Sequence, residues 1–346
     1  VSGQSPVAPA GAAGSGGGGA GAGAGGSGSG RSLTRVYARA VLSARRKGAA
    51  ARARAAAGEP LVLPHGPGGA PAVLVHPGVA VGADRAAALA RATGVPLRPV
   101  LPVLGPHLLA FGAQLQLLSA EEFPLPLPGL VHVTQVVRQH RPLAPGERVD
   151  VRVVARGPLP HAKGVVVELD STLTAAGGEV VWEGTSGYLA RGASAGSPDA
   201  SAPVDASGGP TSTDLDLPEP ATRTVARWRV PTGAGRRYAA VSGDVNPIHL
   251  SGLAAKAFGF RGTIAHGVWT LTRAVGQVEH RLGPTVEVRA RWGSPLLLGS
   301  RAALCAEPLG AGTAEGGWSL AVRSGVPLPG DRVHLTATAA PLRSTS

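Results

Sequence analysis

Scarcity narrows this chain before any motif does. Methionine is absent, Cys305 is the lone cysteine, and 346 residues carry only three Tyr and four Phe. A single cysteine excludes a disulfide within the chain and a cysteine-held zinc site. Lying in Ala302-Ala303-Leu304-Cys305-Ala306, it reads as a small core residue. So few aromatics leave little for stacking on nucleic-acid bases. No uninterrupted apolar stretch is long enough to span a bilayer, so no membrane association is expected and a soluble, cytoplasmic protein is.

Acidic residues are also missing from the start of the chain. Arg31, Arg35, Arg39, Arg45, Arg46, Lys47, Arg52 and Arg54 all precede the first acid, Glu59. The other 25 basic and 21 acidic residues leave only +4 of the net +12. A basic arm on a nearly balanced body reads as a solvated helix, so no nucleic-acid partner is expected.

Residues 1–30 are Gly, Ala and Ser with almost nothing to bury, which predicts a disordered tail. In 31–58, Leu33, Val36, Tyr37 and Val41 fall at helical spacings, which predicts a helix on the surface of the body. A first folded unit is expected over 59–191. It opens with a short helix over 84–91 and a buried helix over the apolar run Leu108–Leu118. Strands follow at 131–137, 149–154, 165–174 and 180–189, the last two joined by Ala175-Ala176-Gly177-Gly178. Residues 192–217 read as a linker. A second unit over 218–346 repeats the order: a strand at 222–229, a short helix at 235–242, a long helix within 263–282, and strands at 285–291, 300–306, 317–323 and 331–339.

The repeat is visible residue by residue. Thr93-Gly94 corresponds to Ser242-Gly243, and Pro106-His107 to Ala265-His266. Pro142-Leu143-x-x-Gly146-x-Arg148 corresponds to Pro295-Leu296-x-x-Gly299-x-Arg301. One stretch breaks the likeness. Where the second copy has Asp244-Val245-Asn246-Pro247-Ile248-His249, the first has Val95-Pro96-Leu97-Arg98, and Leu108 follows its His107 where Gly267 follows His266. Any chemistry is therefore expected in the second copy.

That chemistry can be read from residue types. Pro247 lacks an N–H and biases Asn246 toward extended backbone, so the segment must turn after the helix that ends near Ser242-Gly243. The turn can aim Asp244 and His249 at one water as an acid/base pair. Gly267 heads the next helix, where backbone N–H groups lack intrahelical partners and can receive an oxyanion. Asn246 is expected to hold the loop or orient His249, His266 to be a structural donor, and Tyr238 to pack.

Tyr-x-x-x-Ser-Gly-Asp-x-Asn-Pro-x-His, with His-Gly seventeen residues after the His, resembles the signature of MaoC-like, R-specific enoyl-CoA hydratases. The resemblance implies an α+β double hotdog, each half an antiparallel sheet wrapped around a long central helix. It implies hydration of 2-enoyl-CoA, reversibly with dehydration of 3-hydroxyacyl-CoA. Catalysis would fall to Asp244, His249 and Gly267, supported by Asn246 and His266. No metal or redox cofactor is implied, and a homodimer is possible. One departure is Val275, where some family members carry a supporting serine. An acyl-carrier-protein thioester as substrate, or a non-catalytic acyl-thioester-binding subunit, are the alternatives. Arg236, Arg237, Lys256 and Arg261 are candidates for coenzyme A phosphates. The acyl tail is expected to meet residues 100–140, with Ala110 and Ala113 as positions where bulk would obstruct it.

Overall fold

The computed structural model describes residues 28–57, 59, 61–65, 71–193, 215–310, 316–325 and 331–342. The tail at 1–30 and the linker at 192–217 lie, but for their ends, outside the described residues. The first half contributes β1 (Val73–Ala80), β2 (Leu130–Gln139), β3 (Arg148–His161), β4 (Gly164–Ala175) and β5 (Val180–Arg191). The second contributes β6 (Thr224–Arg229), β7 (Val286–Trp292), β8 (Arg301–Pro308), β9 (Trp318–Ser324) and β10 (Val333–Pro341). All ten form one sheet in the order β1-β3-β4-β5-β2-β7-β10-β9-β8-β6.

Read from either outer edge inward, each half uses its first, third, fourth, fifth and second strand. β2 and β7 pair antiparallel from Thr134↔Arg291 to Gln139↔Val286 and join the halves edge to edge. α3 (His107–Ser119) lies against β1, β3 and β4, and α6 (Gly267–Val275) against β9 and β10. This is the double hotdog. α3 is apolar nearly all round because it is enclosed nearly all round. Each fully buried leucine on it, such as Leu115, contributes about 2 kcal/mol.

The repeat extends to how helices stop. α2 (Ala83–Thr93) ends at Gly94 and α4 (Ala234–Ser242) at Gly243, both left-handed, with φ of 72° and 79°. Residues with a Cβ adopt that conformation at a cost of about 1 kcal/mol or more. In each helix the preceding hydroxyl turns back: Thr93 donates to the Leu89 carbonyl at 2.7 Å, and Ser242 to the Tyr238 carbonyl at 2.9 Å. The second half also completes the first. Trp269 and Arg273 on α6 donate to the Ala92 and Thr93 carbonyls, at 2.7 and 2.8 Å, which have no partner within α2.

Three features differ from expectation. α6 stops at Val275, shorter than the 263–282 span suggests; Gly276 packs so tightly on Val95 that a Cβ there would overlap it. β1 is absent from the strands expected of the first half, and Pro77-Gly78 falls within it. It is an edge strand that accommodates both residues at a bulge between His76 and Val79. The basic helix, α1 (Gly28–Ala56), does not lie wholly on the surface. It docks on α3 and buries Tyr37, Ala40 and Lys47. Lys47 donates to the Ala120 carbonyl at 2.5 Å, just past the end of α3, where a cation is favoured. The Arg46–Glu121 pair at 2.7 Å is exposed and contributes little.

Candidate active site

The segment after α4 is held in shape by short-range hydrogen bonds. Ser242 Oγ accepts from the Asp244 N–H at 3.1 Å, and Asp244 Oδ1 accepts from the Asn246 N–H at 3.2 Å. Asn246 then caps a single 3-10 turn, Pro247–His249, its side-chain oxygen accepting from Ile248 N at 3.4 Å. A Cβ on Gly235 would overlap the His249 carbonyl oxygen, so α4 must present a glycine there. These constraints place Asp244, His249 and His266 with ligand-capable atoms within 4.8 Å of one another.

The hydrogen bonds fix the tautomers. His249 Nδ1 faces the Ile264 carbonyl at 2.9 Å; a carbonyl only accepts, so Nδ1 carries the proton and Nε2 the lone pair. His266 Nε2 faces the Asp244 carbonyl at 3.0 Å and donates to it. The His249 and His266 rings stack with centroids 3.8 Å apart, and the Tyr238 ring is tilted against His266 at 4.9 Å. Asp244, His249 and His266 are spaced closely enough to consider a metal. Stacked rings, however, send their in-plane lone pairs side by side, and Nδ1 of His249 and Nε2 of His266 are already engaged. The arrangement suits proton transfer better than coordination.

Burial pushes the Asp244 carboxyl up, but His266, His249, the Tyr37 hydroxyl and the Asn246 N–H together hold it below its usual value. Burial lowers His249, and Asp244 and the Ile264 carbonyl offset this only in part. Burial, then His249, holds His266 down at about 3. The resting site is one carboxylate facing neutral imidazoles.

Asp244, Asn246, His249, His266, Gly267 and Tyr238 all line a cavity of about 290 Å³ between the halves. Gly267 begins α6, whose first N–H groups have no intrahelical partner. A Cβ on Gly267 would meet the Trp292 indole at 2.9 Å, so the glycine makes room for that ring as well as for any ligand. Val275 is buried and away from the lining.

The first half contributes more than its motif losses suggest. His107, Phe111, Leu115 and Leu118 form one stripe of α3 along the cavity, and His132 and Tyr188 stack beside them at 4.7 Å. Ala110 and Ala113 face away, wholly buried and outside the lining, so the expectation that bulk there obstructs the cavity is corrected. Arg236, Arg237, Lys256 and Arg261 are exposed and also outside the lining; the lysine and arginines at the cavity are Lys163, Arg191 and Arg291, with His161 exposed beside them. Tyr37, from α1, was missed altogether. Its hydroxyl donates to Asp244 Oδ1 at 2.8 Å across 207 residues of sequence. The one signal was a tyrosine at a helical apolar spacing in an otherwise Ala- and Arg-rich arm.

Residues 212–313 match the MaoC like domain family. The chain is 33% identical over 257 residues to 3-hydroxyacyl-thioester dehydratase X of Mycobacterium tuberculosis, covering 73% of this chain and 83% of that protein. The crystal structure of HtdX from Mycobacterium tuberculosis superposes with a TM-score of 0.64 at 28% identity, over 78% of this chain and all of that one. A second Mycobacterium tuberculosis protein, described as a double hotdog, shares the fold, with a TM-score of 0.52 at 16% identity over 78% of this chain and 96% of its own. An Asp and a His turned toward one cavity at the head of α6, and a third of the residues shared over most of a curated dehydratase, make the assignment plain: this chain belongs to the MaoC-like dehydratase family and is a hydro-lyase.

Proposed function

We propose that the protein catalyses R-specific hydration of 2-enoyl-CoA thioesters and the reverse dehydration of 3-hydroxyacyl-CoA. The reading is carried by one observation: the Asp244 carboxylate and the unprotonated Nε2 of His249 border the same cavity as the N-terminus of α6. A water between the two loses a proton to one of them while its oxygen bonds to C3. Electrons move from the double bond to the thioester oxygen, where the Gly267 N–H and the positive end of α6 stabilise the charge. Neither group holds a proton toward the cavity at rest, so the proton delivered to C2 is the one just taken from that water. The enolate collapses as the C2–H bond forms, and the pair returns to its starting state. No other co-reactant is needed.

His161, Lys163 and Arg191, exposed at the cavity, suit a phosphate-bearing carrier. The same rim favours a second reading, an acyl-carrier-protein thioester, since that carrier is acidic. Purified protein assayed with crotonyl- to dodecenoyl-CoA and with matching carrier-protein thioesters distinguishes them. Turnover of the coenzyme A series is expected, and turnover of the carrier series alone overturns the coenzyme A assignment.

The α3 stripe sets an expectation about chain length. From His107 to Leu118 it offers about 16 Å of wall. Leu118→Trp is expected to raise the Michaelis constant severalfold for long acyl chains and to spare crotonyl substrates. Equal effects on both, at unchanged melting temperature, would mean that the tail runs elsewhere.

A further inference from the structure

Asp244 has two carboxylate oxygens, and they are unequal. Oδ1 accepts from the Tyr37 hydroxyl at 2.8 Å and from the Asn246 N–H at 3.2 Å. Oδ2 lies 3.8 Å from His266 Nε2, beyond hydrogen-bond reach, and accepts no hydrogen bond from the described residues. Tyr37 is 6% exposed, and burial followed by the Asp244 charge pushes its own ionisation well up, so the hydroxyl keeps its proton and donates it to the carboxylate. Its helix is pinned about 15 Å further on, where buried Lys47 donates to the Ala120 carbonyl. The hydroxyl is therefore held at a fixed position and does not swing on a loose arm.

We propose that Tyr37 is a positioning residue for the reaction: by occupying Oδ1 it orients the Asp244 carboxylate so that Oδ2 meets the water shared with His249. The proposal rests on the acid/base role given to Asp244 above. It makes α1, which lies outside the matched 212–313 region, part of the working site. A buried anion without its hydroxyl donor is less well solvated and free to rotate, so it protonates more readily and presents either oxygen.

Asp244 is faced by His249 and His266 of its own half, Tyr238 on α4, His107 on α3, His132 on β2 and Tyr188 on β5. None of these is removed by Tyr37→Phe, which keeps the ring and deletes only the donor. In full-length protein, Tyr37→Phe is expected to lower kcat about tenfold with little change in KM, and to move the acid limb of kcat/KM upward by about one pH unit. An acid limb that stays in place, with kcat within twofold of the parent, overturns the proposal. A second readout does not depend on turnover. Carbon-13 titration of the Asp244 carboxyl, identified by its loss in Asp244→Asn, is expected to shift upward in Tyr37→Phe. If the parent enzyme fails to hydrate any enoyl thioester but this titration shifts, the proposed function is wrong and the contact stands. If the parent is active and the titration does not move, the contact does not position the carboxylate.

Discussion

Asp244→Ala and His249→Ala are each expected to reduce hydration by about three orders of magnitude while the protein stays folded. In the proposed mechanism the two groups share one water, so losing either removes most of what losing both would remove, and the double variant should be little worse than the singles. His249 contributes an Nε2 lone pair presented by the Nδ1–Ile264 bond at 2.9 Å, which no alanine can replace. Asp244 contributes the only carboxylate lining the cavity among the described residues. Single-turnover rates with crotonyl-CoA, alongside melting curves, test this. Near-parental turnover in either variant at equal stability would remove that residue from the chemistry.

The second large effect is on stability. His107 and His266 are 3% and 2% exposed, and burial lowers their imidazoles to about 4 and about 3. Unfolded imidazole takes up a proton below about pH 6.5, whereas the folded rings stay neutral until far lower. Stability from these rings is therefore complete above that pH and is lost progressively as pH falls toward the folded values. At pH 5 each ring costs about 2 kcal/mol, so the pair removes about 4 kcal/mol from a total that is ordinarily 5–15 kcal/mol. Denaturant midpoints at pH 7.5, 6 and 5 should fall steeply, and His107→Phe should remove about a third of the slope, because burial holds His132 at about 3 as well. A midpoint independent of pH across that range would show that both rings protonate freely in the folded state.

What could be read from the sequence was local. Gly94 and Gly243 announce helix ends because only a left-handed residue closes them, and two such ends in the same order betray the duplication. Asn246-Pro247 dictates a turn through its own backbone, so Asp244 and His249 could be brought together without knowing any distant contact. β1 was hidden because Pro77-Gly78 carries the signal of a turn, and only its place at the sheet edge makes the bulge tolerable. Tyr37 was hidden for a different reason. Its partner lies 207 residues away, and the apolar spacing in α1 shows that one face can pack without showing what it packs against.

The β2–β7 seam has a consequence for what substitution can do. In an assembly of two identical hotdogs, symmetry would impose every change on both members at once. Here the two members are consecutive parts of one chain, so a change at Phe111 or Leu118 enters the assembly once, on the wall of a cavity that Asp244 and His249 line from the other half. The molecule is a heterodimer closed by a covalent link: one member is held to its acid and imidazole, while the other can reshape the cavity without a matching change opposite.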